Sequence, residues 1–227
     1  DPDVLEPVLK ALRQARRPLL IGGHGVWWSG AEKLLQQVGE SLAIPIFNVP
    51  YHQKLLPETC GAYMGLADVH QYAPSKSALE SADVIVLLGG RLDNQMNFGN
   101  PPLFPSSAQL VCVNGSPEEI EQNRAADQVL LSDPGAFLES LLALKSAGRW
   151  ESPAEWMDLQ RQLNEHKAAS RLSLAEAHRA WKYSEKLQAE LIGAKESHTG
   201  AMTALSDDLE SKQAVAFQSI ADFQDVP

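Results

Sequence analysis

The stretch that most limits the fold is Val84–Arg91, Val-Ile-Val-Leu-Leu-Gly-Gly-Arg. Five large aliphatic residues follow Asp83 without a polar break. A run this short and this rich in β-branched residues predicts a buried strand rather than a helix. The two glycines end it and allow close approach of backbone or ligand. In open α/β sheets ligands sit beyond the carboxyl ends of strands, so Arg91 is expected at a ligand-binding edge.

The residues on either side repeat a strand–helix rhythm. Asp3–Ala15 places Val4, Leu5, Val8, Leu12 and Ala15 at helical spacing. Arg16-Arg17-Pro18 ends that helix, and Leu19–Ile21 is a short strand closed by Gly22-Gly23-His24-Gly25. Ser29 is expected to cap the next helix, with Glu32 at the capping-box position. Ile44–Val49 reads as a second strand, whereas Pro50–Met64 reads as irregular. Gly65–Ser81 begins loosely and becomes helical around Lys76–Glu80. Beyond Val84–Leu88 lies a long loop, Leu92–Ser107, then strands at Gln109–Val113 and Gln128–Leu131. Ser116-Pro117 and Asp133-Pro134 each place a capping side chain before a proline at the first helical position, predicting a short helix and then the helix Gly135–Leu144. Such alternation predicts an α/β domain, doubly wound, with a mostly parallel sheet and right-handed crossovers.

After Ala147-Gly148 the pattern changes. Residues 148–227 carry no strand signal and form a helical extension, separate from a Rossmann-like domain over 1–147. Trp156, Leu159 and Leu163 share one helical face. Met202, Leu205, Leu209, Ala216, Ile220 and Phe223 fall near a seven-residue seam, broken by Lys212. This second stretch is expected to be an amphipathic helix that seeks a partner.

A net charge of -10 offers no nucleic-acid footprint. No apolar run reaches membrane-spanning length, and residues 1–15 lack the signature of a signal peptide. Cys60 and Cys112 lie outside metal or redox spacings and read as reduced thiols of a cytoplasmic protein. The six histidines show no zinc spacing, and no serine sits in a nucleophile elbow. Glu118-Glu119 reads as charge in a first helical turn, and Trp27-Trp28 as packing or an interdomain face. The opening residue, Asp1, suits a processed product or a piece of something longer.

Gly22-Gly23-His24-Gly25 lies between a strand and a helix, where N–H groups can approach a phosphate. A ligand-free tight turn is the alternative. The third glycine of a dinucleotide fingerprint is replaced by Trp28, and Asn48 stands where an acid would grip a ribose, so an NAD site is not expected. Arg91 offers a planar fork to a phosphate or an adenine; a salt bridge to Asp93 or Asp68 is the alternative.

Taken together in order, several pieces resemble one family. They are Arg17–Gly25, Leu42-Ala43-Ile44-Pro45-Ile46, Glu58-Thr59 with Gly61–Gly65, Ser81–Leu92, and Glu119–Arg124. Residues Leu5–Leu144 thereby resemble the central domain of thiamine-diphosphate-dependent enzymes, the group of acetohydroxyacid synthase, oxalyl-CoA decarboxylase and benzaldehyde lyase. The resemblance implies a six-stranded doubly wound unit lying between a pyrimidine-binding and a diphosphate-binding domain. It implies a parent enzyme that uses thiamine diphosphate and Mg2+ to form or cleave a C–C bond in 2-oxo or 2-hydroxy acids or their CoA esters, acetolactate-synthase-like, and that is a homo-oligomer. The Gly-Asp-Gly metal signature and its paired asparagines are absent from this sequence, so this chain alone is expected to be inactive. In some relatives the central domain holds FAD or ADP. The resemblance then assigns such a site to Gly22, Gly23, His24, Gly25, Gly90, Arg91, Asn114 and Ser116. Asn114 and Ser116 stand where those relatives usually carry aspartates, which weakens the grip on a ribose. Two other readings are a stand-alone adenine-nucleotide module and an interaction protein working through its helical tail.

Overall fold

The computed structural model describes residues 2–50, 54–68, 73–120, 123–148, 150–151, 154–197 and 202–224. Tyr51, His52, His70 and His198 therefore lie outside the described residues, as do the side chains of Trp156, Leu159, Leu163, Met202, Ile220 and Phe223. Contacts divide the chain into two compact units, residues 1–163 and 164–227.

The first unit is built on six strands: β1 Pro18–Gly22, β2 Ile46–Asn48, β3 Tyr63–Leu66, β4 Val84–Leu88, β5 Gln109–Asn114 and β6 Gln128–Leu131. Their order is β3-β2-β1-β4-β5-β6, and every neighbouring pair is parallel. The direction of winding reverses between β1 and β4, which are aligned from Pro18 opposite Val84 to Gly22 opposite Leu88. Both strands are buried along their whole length, as their unbroken apolar runs require.

Alternate residues feed two cores. Leu20, Val86, Leu88, Val111 and Val113 face one side. There they pack with helices α1 (Pro2–Gln14), α3 (Glu32–Leu42) and α5 (Pro134–Ser146). Leu19, Ile21, Ile85, Leu87 and Leu110 face the other side. They meet α4 (Ala73–Ser81) and the 92–108 loop, through Leu92, Met96, Leu103 and Phe104. This two-sided burial is the doubly wound arrangement expected from the alternation.

Two backbone anchors hold the sheet's ends. The Asp83 carboxylate accepts from the N–H groups of Arg16 and Arg17, at 2.7 and 2.9 Å, which fixes the start of β1 against the start of β4. The Arg124 guanidinium donates to the carbonyls of Gly99, Pro105 and Ala108 at 3.1, 3.2 and 2.6 Å. That fork supplies donors to the Gly99 and Ala108 carbonyls and a second donor to the Pro105 carbonyl, which also accepts from the Ala108 N–H.

Three local readings change. Tyr63–Leu66, expected to be irregular, is the edge strand β3. It is four residues long and holds Gly65 at φ +103°, so it carries no usable alternation; its partner β2 defines it. Ser29 does not cap α3. A five-residue helix, α2 (His24–Trp28), precedes it, Ser29 ends that helix, and Ala31 takes the N-cap position of α3 without a side-chain bond. Ser116 does stand at the N-cap of a short helix with Pro117 and two acids in its first turn, but that helix is a single 3₁₀ turn, Pro117–Glu119, and the serine hydroxyl donates to the Glu118 carboxylate at 2.6 Å instead of capping a backbone N–H. The Asp133 cap of α5 is present, its carboxylate accepting from the Ala136 N–H at 3.1 Å with Pro134 in the first turn.

The second unit is helical. α6 (Ala154–Ser197) begins in the first unit and continues into the second, where α7 (Met202–Gln224) follows it. The rings of Trp181 and Phe217 meet edge to face at 6.0 Å, and Lys212 lies 5.6 Å from the Tyr183 ring centre. One residue number rises as the other falls, so the two helices run antiparallel. Ala177, Ser184 and Leu187 on α6 and Leu209 and Ala216 on α7 are buried. Of the residues read as a seam from the sequence, Leu209 and Ala216 are buried and Leu205 is half-buried.

Candidate functional site

Two clefts lined by described residues of the first unit bear on a ligand site. One, of about 490 Å³, runs along β6 between α1 and α5 and is lined by apolar side chains with Ser132 and Ser140. Among the described residues, its lining holds no titratable side chain. The other, of about 270 Å³, lies at the carboxyl ends of β1, β4 and β5, where the winding reverses. Its lining carries chemistry: His24, Gly25, Trp28, Gly89, Gly90, Arg91, Asn114 and Glu119.

The sheet order assembles this second cleft. β1 and β4 are neighbours, so the turns that follow them touch. The Gly23 N–H donates to the carbonyl of Leu88 and the Gly25 N–H to that of Gly89, both at 2.8 Å. Side chains would not fit between them. A β-carbon on Gly23 would stand 2.6 Å from the Gly89 oxygen, and one on Gly25 would stand 2.6 Å from the Gly89 α-carbon. Gly89 itself holds φ +59°, the left-handed region in which glycine is the cheapest residue. The glycines thus serve close approach of two turns, and two of their N–H groups are already engaged.

A second contact supports the turn from behind. The Ser29 hydroxyl lies 2.7 Å from the Gly25 carbonyl oxygen and 2.6 Å from an oxygen of Asp133. Both are acceptors, so its single proton serves one at a time. The Ser29 hydrogen bond lowers the Asp133 pKa, and the backbone N–H groups of Ala136 and Gly135 add to the effect against the opposing cost of burial.

At the other wall, Arg91 Nε meets Glu119 Oε2 at 2.8 Å, joining the turn after β4 to the turn after β5. The acid facing Arg91 is thus Glu119, not Asp93 or Asp68. The Asp93 carboxylate instead accepts from the N–H groups of Gln95 and Met96, at 3.0 and 3.3 Å. Asn114 uses its side-chain oxygen on the Ser116 N–H at 3.1 Å. The Ser116 hydroxyl holds the Glu118 carboxyl below its usual pKa.

Of the residues assigned from sequence, His24, Gly25, Gly90, Arg91 and Asn114 share this cleft. Gly22 and Gly23 do not line it. Gly22 faces the core, where a β-carbon would meet Leu55 at 2.6 Å. Ser116 is turned towards Glu118. Trp28, Gly89 and Glu119 were not assigned to a site. Glu119 is separated from Arg91 by a whole strand, and only the β4–β5 pairing brings them together. Among the described residues, no cluster of His, Cys, Asp and Glu could hold a metal ion, and no helix is long and apolar enough to cross a membrane.

The comparisons with known proteins converge. The model of the thiamine pyrophosphate enzyme central domain matches residues 5–141. Mouse 2-hydroxyacyl-CoA lyase 1 is 30% identical over 163 residues, which cover 70% of this chain and 27% of the mouse protein. The acetolactate synthase large subunit of Corynebacterium glutamicum is 25% identical over 156 residues, covering 68% of this chain and 25% of that protein. Benzoylformate decarboxylase from Polynucleobacter necessarius superimposes with a TM-score of 0.53 at 22% identity, over 63% of this chain and 27% of its own. A second solved structure, a putative thiamin diphosphate-dependent enzyme from Mycobacterium smegmatis, gives 0.55 at 19% identity, over 68% and 28% of the two chains. Those two likenesses concern the fold alone. The chain spans about a quarter of the length of the relatives it matches. Over residues 5–141, this chain belongs to the family of thiamine pyrophosphate enzyme central domains.

Proposed function

We propose that this chain serves as the architectural middle of a thiamine-diphosphate-dependent enzyme that forms or cleaves a C–C bond next to a carbonyl. The observation that carries the reading is the family match over residues 5–141. Two of the matched relatives are a 2-hydroxyacyl-CoA lyase and an acetolactate synthase. The substrates would therefore be 2-oxo or 2-hydroxy acids or their CoA esters. In this reading residues 1–147 are the central domain and 148–227 a linker helix and tail. The partners are a pyrimidine-binding and a diphosphate-binding domain, in a cytoplasmic homo-oligomer.

When bound in such an enzyme, thiamine diphosphate supplies an electron sink for carbanion chemistry, with Mg2+ holding its diphosphate. The residues here do not fit either group. Gly-Asp-Gly is absent from the sequence, and the described residues offer no acidic or histidine cluster for the metal. No catalytic step is therefore assigned to this chain. Its contribution is a rigid parallel sheet whose loops present faces to neighbouring domains.

The test is a comparison of the chain alone with the chain joined to the pyrimidine- and diphosphate-binding domains of a matched relative. Alone, it should show no saturable heat with thiamine diphosphate and Mg2+ and no turnover of a 2-oxo acid or 2-hydroxyacyl-CoA. The joined protein should bind the cofactor and turn over. Cofactor binding by the chain alone, or a joined protein that folds yet stays inert, would sink the reading.

A further inference from the structure

The cleft at the β1/β4 switch point is where an open α/β sheet takes a ligand, so its lining shows what this chain can accept there. Among the described residues, Arg91 is the only lysine or arginine in its lining. That guanidinium already meets Glu119 at 2.8 Å. A diphosphate bound at Arg91 would sit beside the Glu119 carboxylate, and like charges a few ångströms apart repel. The glycine turn offers little in exchange. Its Gly23 and Gly25 N–H groups donate to Leu88 and Gly89, and the helix behind it has only five residues. The Ser116 N–H already takes one of the two lone pairs of the Asn114 side-chain oxygen. The cleft volume of about 270 Å³ is also below the ordinary range for small-molecule sites, about 300–1,000 Å³.

We propose that this cleft is closed to adenine nucleotides, and that the Arg91–Glu119 pair is what closes it: the ion pair stands in for the cation–phosphate contact a nucleotide would make. The inference deepens the central-domain reading by stating which kind of central domain this is, one held together without a nucleotide. It is tested on the chain alone, so it can fail while the joined-domain experiment succeeds, and the reverse.

The experiment titrates the whole chain with ADP and with FAD by calorimetry, after near-UV circular dichroism has established native tryptophan packing. The wild-type chain should show no saturable binding tighter than about 1 mM. Glu119→Gln removes the competing charge while keeping shape, and should bind ADP at least about tenfold more tightly than wild type, an effect of the size expected for one charge pair near a surface. Arg91→Ala in the Glu119→Gln background should abolish that gain. If Glu119→Gln disturbs the near-UV spectrum, Glu119→Ala replaces it. Saturable wild-type binding of either nucleotide below about 1 mM overturns the proposal. So does a folded Glu119 variant that binds ADP no better than wild type, or a gain that survives loss of Arg91.

Discussion

Gly25 and Gly89 meet backbone to backbone: the Gly25 N–H donates to the Gly89 carbonyl at 2.8 Å, and a β-carbon on Gly25 would lie 2.6 Å from the Gly89 α-carbon. This contact joins the turns after β1 and β4 and forms the floor of the cleft. Its neighbour on the Gly25 side is backbone, which cannot rotate away. Gly25→Ala should therefore cost about 1–3 kcal/mol, the usual range for overpacking. Gly89→Ala should cost more, because it adds the strain of φ +59°. Gly148 is the control. It also holds a positive φ, but nothing lies within 4 Å of its β-carbon position, so Gly148→Ala should cost only the backbone strain of about 1–2 kcal/mol. Urea denaturation midpoints at constant slope would rank the three, and equal costs for all would contradict the close-approach argument.

Asp83 binds the two N–H groups that open β1. Asp83→Ala leaves both without their acceptor. A hydrogen bond to a charged group contributes about 1.5–3 kcal/mol, and exposure of this pair of bonds keeps their joint contribution towards the low end. The substitution should lower stability by roughly 2 kcal/mol and raise amide exchange at Arg16 and Arg17 selectively. Exchange unchanged at those two amides would count against the anchor.

The Arg124 fork reaches three carbonyls of the 92–108 loop. A lysine carries a single ammonium and cannot span all three. Arg124→Lys should cost about 1–3 kcal/mol and expose the loop to limited proteolysis between Leu92 and Ser107. Cleavage there at the wild-type rate would show that the loop is held by its apolar contacts alone.

Asp133 gives the protein a pH signature. Its folded pKa is depressed, first by the Ser29 hydroxyl. Between the folded and unfolded values the unfolded chain binds more protons, so stability rises with pH there. The stabilisation is fully present above the ordinary aspartate value, about 3.9, and is lost as pH falls through the lower folded value. Ser29→Ala should lower the unfolding midpoint at neutral pH and flatten the loss of stability in the acid range. Parallel curves for wild type and variant between pH 5 and the acid limit, about pH 2, would exclude the coupling.

Much of the sheet is legible locally. Val84–Leu88 coincides with β4, and Asp133-Pro134 marks the start of α5, because an unbroken apolar run and a cap followed by proline act within a few residues. β3 is not legible, since Tyr63–Leu66 has no periodicity of its own and becomes a strand only by pairing with β2. α2 is hidden for a related reason. Gly-Gly-His-Gly reads as a bare turn, and the contacts to Gly89 and Asp133 that hold Gly25 and Ser29 come from 64 and 104 positions away.

The same division applies to the cleft. The amino-acid sequence by itself determined the parallel sheet, the place of the glycine turn and the position of Arg91 at a strand end, because these follow from hydrophobic runs and from where glycine interrupts them. Only the tertiary structure decided what those groups face. The Gly23 and Gly25 N–H groups turn to Leu88 and Gly89, and Arg91 turns to Glu119. Those partners are set by β1, β4 and β5 lying side by side, and side-by-side placement is a property of the folded sheet that no local stretch of chain encodes.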